Sequence, residues 1–278
     1  MPDPAPLTAR GLTVTVAGRD LVRDVSLAVE AGTLQVIVGP NGAGKSTLVR
    51  LLSGALRPTQ GSVAYGGAPV ETIPPWRLAA LRAVLPQAAR LAFPFAAAEV
   101  ARIGLDGIGR GLGARDRSAI LARALARADV AHLADRAYPT LSGGEQARVQ
   151  FARVLCQLEA GRTVADRQVL FLDEPTASLD LRHQGALLDA AAGLAATGVA
   201  VVAILHDLNL AAAYADRLLV LDRGRLVAGG RPVEVLTDDL IAGVFGVRWP
   251  VGRVPAGGQP FLLPHRDADR DASGPARD

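Results

Sequence analysis

The chain has 278 residues, half of them apolar and only 4% aromatic, and a net charge of +3. That length suits one large domain or two small ones with a substantial core built mainly from Leu, Val and Ala, and so small and dispersed a charge argues against a dedicated nucleic-acid binder. The single cysteine, Cys156, excludes an internal disulfide; it suits a reducing compartment and reads as a small buried apolar residue.

Residues 1–6 have neither the basic start nor the apolar run of a secretory signal. Residues 12–16 and 24–29 alternate apolar and polar side chains and predict antiparallel strands, with Gly18, Arg19 and Asp20 as the turn between them. Residues 34–38 form an apolar strand that runs into a glycine loop, and a helix follows from Lys45 to about Ser53. Residues 62–65 read as a further strand of the first sheet. The stretch 96–134, rich in Ala, Arg and Leu, predicts helices broken by the glycines from Gly104 to Gly113. Short apolar runs at 169–172, 200–205 and 218–221 suit strands buried in a mainly parallel sheet, alternating with helices at 184–196 and 208–215. Residues 190–205 are too short and too interrupted by Gly193, Thr197 and Gly198 to span a membrane. A soluble, cytoplasmic protein is expected. From about Arg266 almost nothing can be buried, and disorder is expected.

Three motifs carry chemistry. Gly39, Pro40, Asn41, Gly42, Ala43, Gly44, Lys45, Ser46 and Thr47 lie between a predicted strand and a predicted helix. In that context the glycines let backbone N–H groups wrap phosphates at a helix N-terminus, Lys45 reaches the outer phosphates, and the Ser46 hydroxyl ligates Mg²⁺. Lys45 is the sole lysine among 30 basic residues, which points to a need for a compact ammonium at this position. Second, the apolar strand 169–172 ends in Asp173 and Glu174. Two carboxylates there need a cation or a partner; Asp173 is placed to hold Mg²⁺ and Glu174 to polarise an attacking water. Together these predict a nucleotide hydrolase. Third, Leu141, Ser142, Gly143, Gly144, Glu145 and Gln146 open a helix. Ser142 and Glu145 have capping-box spacing, and the bare glycine turn makes either an anion site or an ordinary capped helix.

Leu141–Gln146 with the other two motifs resembles the signature of ATP-binding cassette (ABC) ATPases, over residues 7 to about 245. The resemblance implies an α/β fold: a P-loop NTPase (RecA-like) core with a mainly parallel sheet, an N-terminal antiparallel β subdomain and an inserted α-helical subdomain. It implies one domain over 1–265, with the helical part at about 90–160 and the tail 266–278 outside it. ATP and Mg²⁺ are the implied cofactors. In that family Ser142, Gly143, Gly144 and Glu145 of one subunit close over the ATP held by Gly39–Thr47 of a second copy. Gln87 resembles the glutamine that contacts Mg²⁺ and water, His206 the switch histidine at the γ-phosphate, and Ser178, Leu179 and Asp180 the loop that communicates across the dimer. An aromatic that stacks on adenine is missing near the first hairpin, leaving Val16 to pack on the base.

Several runs narrow the resemblance: 83–87, 91–95, 138–141, 148–155, 159–167 and 179–184 are similar to ATPase subunits of bacterial hemin importers, within the group that takes up iron chelates and cobalamin. The implied partners are a second copy, a transmembrane permease dimer and, indirectly, a periplasmic hemin-binding protein, with no nucleic acid; the implied location is the cytoplasmic face of the inner membrane. A permease groove is expected near 87–95, where Phe93 and Phe95 are either contact residues or packed under the helical part. His132, His183 and His265 are scattered and read as solvated. Two rivals stand beside this reading: a cassette ATPase without a permease, and a P-loop kinase, for which the sequence offers no acceptor pocket.

Overall fold

The computed structural model describes residues 5–87, 94–254, 260 and 262–264. In chain order these form β1 (Leu7–Val16), β2 (Arg19–Val29), β3 (Leu34–Val38), α1 (Lys45–Leu52), β4 (Gln60–Tyr65), β5 (Ala68–Pro69), α2 (Pro75–Leu81) and β6 (Arg82–Leu85). Then come α3 (Ala97–Asp106), α4 (Ala114–Arg127), α5 (Gly143–Gly161), β7 (Val169–Asp173), α6 (Leu181–Ala196), β8 (Ala200–Ile204), α7 (Leu208–Tyr214), β9 (Arg217–Asp222) and β10 (Arg225–Gly230). The tail from Arg266, His265 and the groove residues 88–93, Phe93 among them, lie outside the described residues.

The larger sheet has the order β10-β9-β3-β8-β7-β6. Its strands are parallel except β10, which runs antiparallel to β9 at the edge. Both faces are covered, so the strands read as continuous apolar runs rather than alternations. Alternate residues nonetheless serve different cores. Leu34, Val36, Val38, Leu170, Leu172, Val201, Ala203, Leu218 and Val220 pack with α3–α7 in one cluster. Ile37, Val169, Phe171, Val202, Ile204, Leu219 and Leu221 pack with α1 and the smaller sheet, β2-β1-β4-β5. The helices of 97–161 thus share a core with the parallel sheet and do not form a core of their own.

Three expectations change in detail. The first turn is Ala17–Gly18, both at positive φ (48° and 76°), and Arg19 already pairs with Val16. Two central residues at positive φ match the right-handed twist of the flanking strands. The strand begins at Leu7 because a register shift between Ala9 and Leu12 keeps Leu7, Ala9, Leu12 and Val14 all buried; strict alternation conceals such a bulge. Gly104 does not break a helix. It lies inside α3, where a Cβ would stand 2.1 Å from the Arg153 carbonyl oxygen, so glycine is what lets α3 approach α5. No helix among the described residues is long and apolar enough to cross a membrane.

Candidate functional site

The register of the parallel strands sets the site. Leu85 lies opposite Leu172, Asp173 opposite Ile204, and Ile204 opposite Ile37. Four strands therefore end at one level, at the carboxyl edge where open α/β sheets bind ligands. The segments that leave these strand ends converge: the glycine loop after β3, Gln87 after β6, Glu174 after β7 and His206 after β8.

The loop needs its glycines for two separate reasons. Gly39 and Gly44 hold φ of 153° and 99°, and a Cβ would come within 2.0 Å of the Leu221 carbonyl oxygen or 2.3 Å of that of Leu21. Gly42, at φ 77°, is exposed at the mouth beside Asn41. Gly44 then forms the N-cap of α1 with no side-chain hydrogen bond, so the first-turn N–H groups have no capping side chain and present the positive end of the helix. Lys45 is buried, and its Nζ donates to the carbonyls of Gly39 (2.8 Å) and Pro40 (2.9 Å). Burial holds its ammonium pKa below the ordinary lysine value, while Glu174 and Asp173 pull it back up.

Ser46 Oγ donates to Asp173 Oδ1 at 3.1 Å. Burial raises the Asp173 carboxyl above the usual range, the Ser46 hydrogen bond opposes that, and the neighbouring Glu174 charge adds to it. A hydroxyl and a desolvated carboxylate held side by side are hard oxygen donors of the kind Mg²⁺ takes. Glu174 adopts left-handed backbone at φ 51°, a conformation that costs a non-glycine residue about 1 kcal/mol. Its side chain is fixed at both oxygens: Oε2 accepts from Gln87 Nε2 (2.5 Å) and Oε1 lies 2.6 Å from His206 Nε2. Three strand ends thus meet on one carboxylate. Gln87 reaches Glu174 rather than the Ser46–Asp173 pair.

The other glycine-rich helix terminus is built differently. Ser142 Oγ accepts from the Glu145 N–H (3.3 Å) and Glu145 Oε2 accepts from the Ser142 N–H (2.7 Å), a complete capping box. Those bonds hold the Glu145 carboxyl below its ordinary pKa. Ser142 and Gly143 are exposed. Gly144 packs on the loop before α6, where a Cβ would meet the Ser178 carbonyl oxygen at 3.1 Å. Among the described residues no hydrogen bond joins Ser142–Glu145 to the loop Gly39–Thr47.

Elsewhere, Val16 is 52% exposed beside the first turn, Phe95 is 40% exposed with its carbonyl accepting from the Tyr138 N–H, and His132 is exposed. Cys156 is fully buried, its thiol pushed up to about 12 by burial, as a structural cysteine should be.

Sequence reasoning missed what holds the strand before Gln87 in place. Along α5, Gln150, Arg153 and Gln157 form a polar stripe on an otherwise apolar face. Gln150 Nε2 donates to Tyr138 Oη, Arg153 Nη2 to the Val84 carbonyl, and Gln157 Nε2 to the carbonyls of Ala79 and Arg82. The stripe ties the strand before Gln87 to the helix that begins at Ser142. Its spacing of three and four residues was visible as one helical face.

The family model for "ABC transporter" matches residues 22–177. The chain is 47% identical over 258 residues to the hemin import ATP-binding protein HmuV of Agrobacterium fabrum, covering 93% of this chain and 98% of that one. It is 50% identical over 259 residues to the protein of the same name from Gloeobacter violaceus, covering 93% and 94%. Among solved structures, a bacterial Atm1-family ABC exporter with ATP bound superposes with a TM-score of 0.73 at 28% identity, over 88% of this chain and 43% of that one. With the phosphate loop, the paired acids and the capped glycine turn in place, the chain belongs to the ABC transporter family, as one of its ATP-binding cassette ATPases.

Proposed function

We propose that this ATPase energises hemin uptake, as the cytoplasmic subunit of an importer in the bacterial inner membrane. The observation that carries the proposal is near-half identity over almost the whole length of proteins named for hemin import. The partners would be a second copy, a permease dimer and, at one remove, a periplasmic hemin-binding protein. Residues 1–265 would act as one cassette, its helical part at about 90–160.

In the proposed cycle the loop amides and Lys45 bind the ATP phosphates. Ser46 and Asp173 would hold Mg²⁺, with Gln87 close by; the ion would offset charge on the phosphates. Asp173 and Ser46 fit that group, since their oxygens stand together at 3.1 Å in a desolvated site. Glu174 accepts a proton from the attacking water, and Gln87 and His206, bonded to its two oxygens, aim it. The turn Ser142, Gly143, Gly144 and Glu145 of a second copy, exposed at its first two residues, closes on the same ATP. Its cap supports this reading: the capping box bonds the Ser142 and Glu145 N–H groups and leaves Gly143 and Gly144 without a capping side chain, and among the described residues no hydrogen bond links this terminus to the phosphate loop of its own chain. Because each ATP would lie between two copies, its binding energy drives closure directly. Val16 packs on the base, and Phe95 belongs to the permease groove.

Proteoliposomes holding this chain with the permease of the same organism test the assignment. Binding protein loaded with hemin should stimulate ATP hydrolysis severalfold. Stimulation by cobalamin or a ferric siderophore, with none by hemin, would reject hemin as the cargo. Copurification with ribosomes or scaffold proteins instead of a permease would reject transport.

A further inference from the structure

His183 was expected to be a solvated histidine. Its side chain stands instead between two carboxylates from separate parts of the fold. Nδ1 lies 2.7 Å from Asp180 Oδ1, the N-cap of α6, which also accepts from the His183 backbone N–H at 2.9 Å. On the other side of the ring, Nε2 lies 3.6 Å from Asp129 Oδ2. Asp129 follows α4 in left-handed backbone at φ 52°. It is held in turn by α5, where Arg148 Nη1 donates to its carbonyl (3.0 Å) and to Oδ2 (3.2 Å). A continuous polar chain therefore runs Asp180, His183, Asp129, Arg148. It joins the loop Ser178–Asp180 to the helix whose first turn is Gly143 and Gly144.

The ring's chemistry makes this chain conditional. Asp180, Asp129 and Arg148 are the charged groups that face the imidazole. A neutral ring carries one N–H, which the 2.7 Å contact gives to Asp180, and leaves Nε2 bare before Asp129; a protonated ring still donates to Asp180 and turns a charged N–H towards Asp129 as an ion pair. With the ring neutral the cluster carries a net charge of −1, and protonation neutralises it. Capping of α6 does not need this arrangement, because the His183 backbone N–H already satisfies Asp180. Nor does that cap explain why Nε2 faces Asp129.

We propose that His183 is a positioning residue that fastens the Ser178–Asp180 loop to the signature helix α5, and that the fastening is complete only when the imidazole is protonated. The inference rests on the proposed dimer, in which these two elements together meet the partner's ATP. A loop fixed to α5 presents both at once, so the closed dimer forms with less ordering to complete. Protonation sets how many donors the ring offers, so closure should depend on pH.

The test uses the full chain carrying Glu174→Gln, which holds ATP without turnover, and reads ATP-driven dimerisation by light scattering at pH 6.5 and 8.5. His183→Asn keeps a donor towards Asp180 and removes the reach to Asp129. At pH 6.5 it should weaken dimerisation about tenfold, a loss of about 1.4 kcal/mol, and by less than about twofold at pH 8.5. ATP binding by the monomer should not change. In an Asp129→Asn background the same substitution should have no further effect at either pH. Equal losses at both pH values, or full additivity with Asp129→Asn, would overturn the inference while leaving the dimer reading intact. Absence of any ATP-driven dimer in the Glu174→Gln parent would remove the dimer reading and the inference with it. Should His183→Asn not fold, His183→Gln, which reaches Asp129 but not Asp180, must show the same pH-dependent loss.

Discussion

Helices α1 and α5 both open on glycines of the sequence motifs, and they have been equipped in opposite ways. α1 begins at Gly44 with no side-chain cap, and around its first turn stand Lys45, Ser46 and Asp173, with the ends of three further strands beside them. α5 begins at Ser142 with both halves of a capping box made, and its glycine turn is exposed. A helix terminus that leaves its N–H groups uncapped inside a pocket is a site waiting for an anion. A terminus that bonds its own N-cap and third-residue N–H groups and opens to solvent is a surface, and its remaining N–H groups become part of a site only when another molecule brings the anion to them. The difference lies in the cap as well as the surroundings: Gly44 is left-handed at φ 99° and brings no side chain, whereas Ser142 is extended and bonded.

The largest expected effect falls on the group that gathers three strand ends beside α1. Glu174→Gln keeps the hydrogen-bonding shape between Gln87 and His206 but removes the proton acceptor. Turnover should fall by about 10²- to 10⁴-fold while ATP binding persists and dimers accumulate, measured by phosphate release and light scattering. Normal turnover would show that another group takes the proton. At the other terminus, Ser142→Arg fills the exposed turn and removes the cap. ATP hydrolysis should drop by about a hundredfold or more, as expected for loss of preorganised anion contacts, with nucleotide affinity of the isolated chain unchanged. A parallel loss of affinity would place Ser142 in the site of its own chain and collapse the comparison.

A smaller effect is expected at Lys45. Its Nζ fits between two loop carbonyls in a buried position, where a planar guanidinium is too wide. Lys45→Arg should raise the ATP dissociation constant about tenfold by titration calorimetry. Tolerance of arginine there would mean that the lone lysine of the chain has no steric reason to be lysine.

The strength of each signal in the sequence followed its physics. β3 was readable to the residue because an apolar strand ends where Gly39 begins, and α1 because Lys45 follows the last glycine. The paired acids were legible because no buried strand ends in Asp173 and Glu174 without cause. β10 was not, since none of its residues is buried and an edge strand has no apolar pattern to show. The bulge near Gly11 hid the start of β1 by interrupting its alternation. Gly104 misled because a glycine that admits a neighbouring helix looks, in one dimension, like one that ends its own. His183 was illegible for a further reason: its partner Asp129 is far off in sequence, and only the fold brings the residues after α4 to the first turn of α6.

The finest distinction between the two termini is in the sign of their pH dependence. Asp173 beside α1 has its pKa raised by burial, so relative to the unfolded chain its ionised form is disfavoured. That penalty is absent below the ordinary aspartate value of 3.8 and complete above the raised folded value. Asp173→Asn should therefore stabilise the nucleotide-free chain at pH 7, seen as a rise in Tm, and the gain should vanish in acid. Glu145 in the capping box is the reverse case. Its pKa is lowered by the Ser142 hydrogen bonds, so its contribution is present above the unfolded value and is lost as the pH falls through the folded one. Glu145→Gln should lower Tm at pH 7, and that deficit should also fade in acid. Thermal melts of the two variants between pH 3 and 8 would thus diverge from the parent in opposite directions as the pH rises. Divergence in the same direction would mean that the pocket at α1 does not hold its carboxylate at a cost, and that the acid there was placed for stability rather than for a cation.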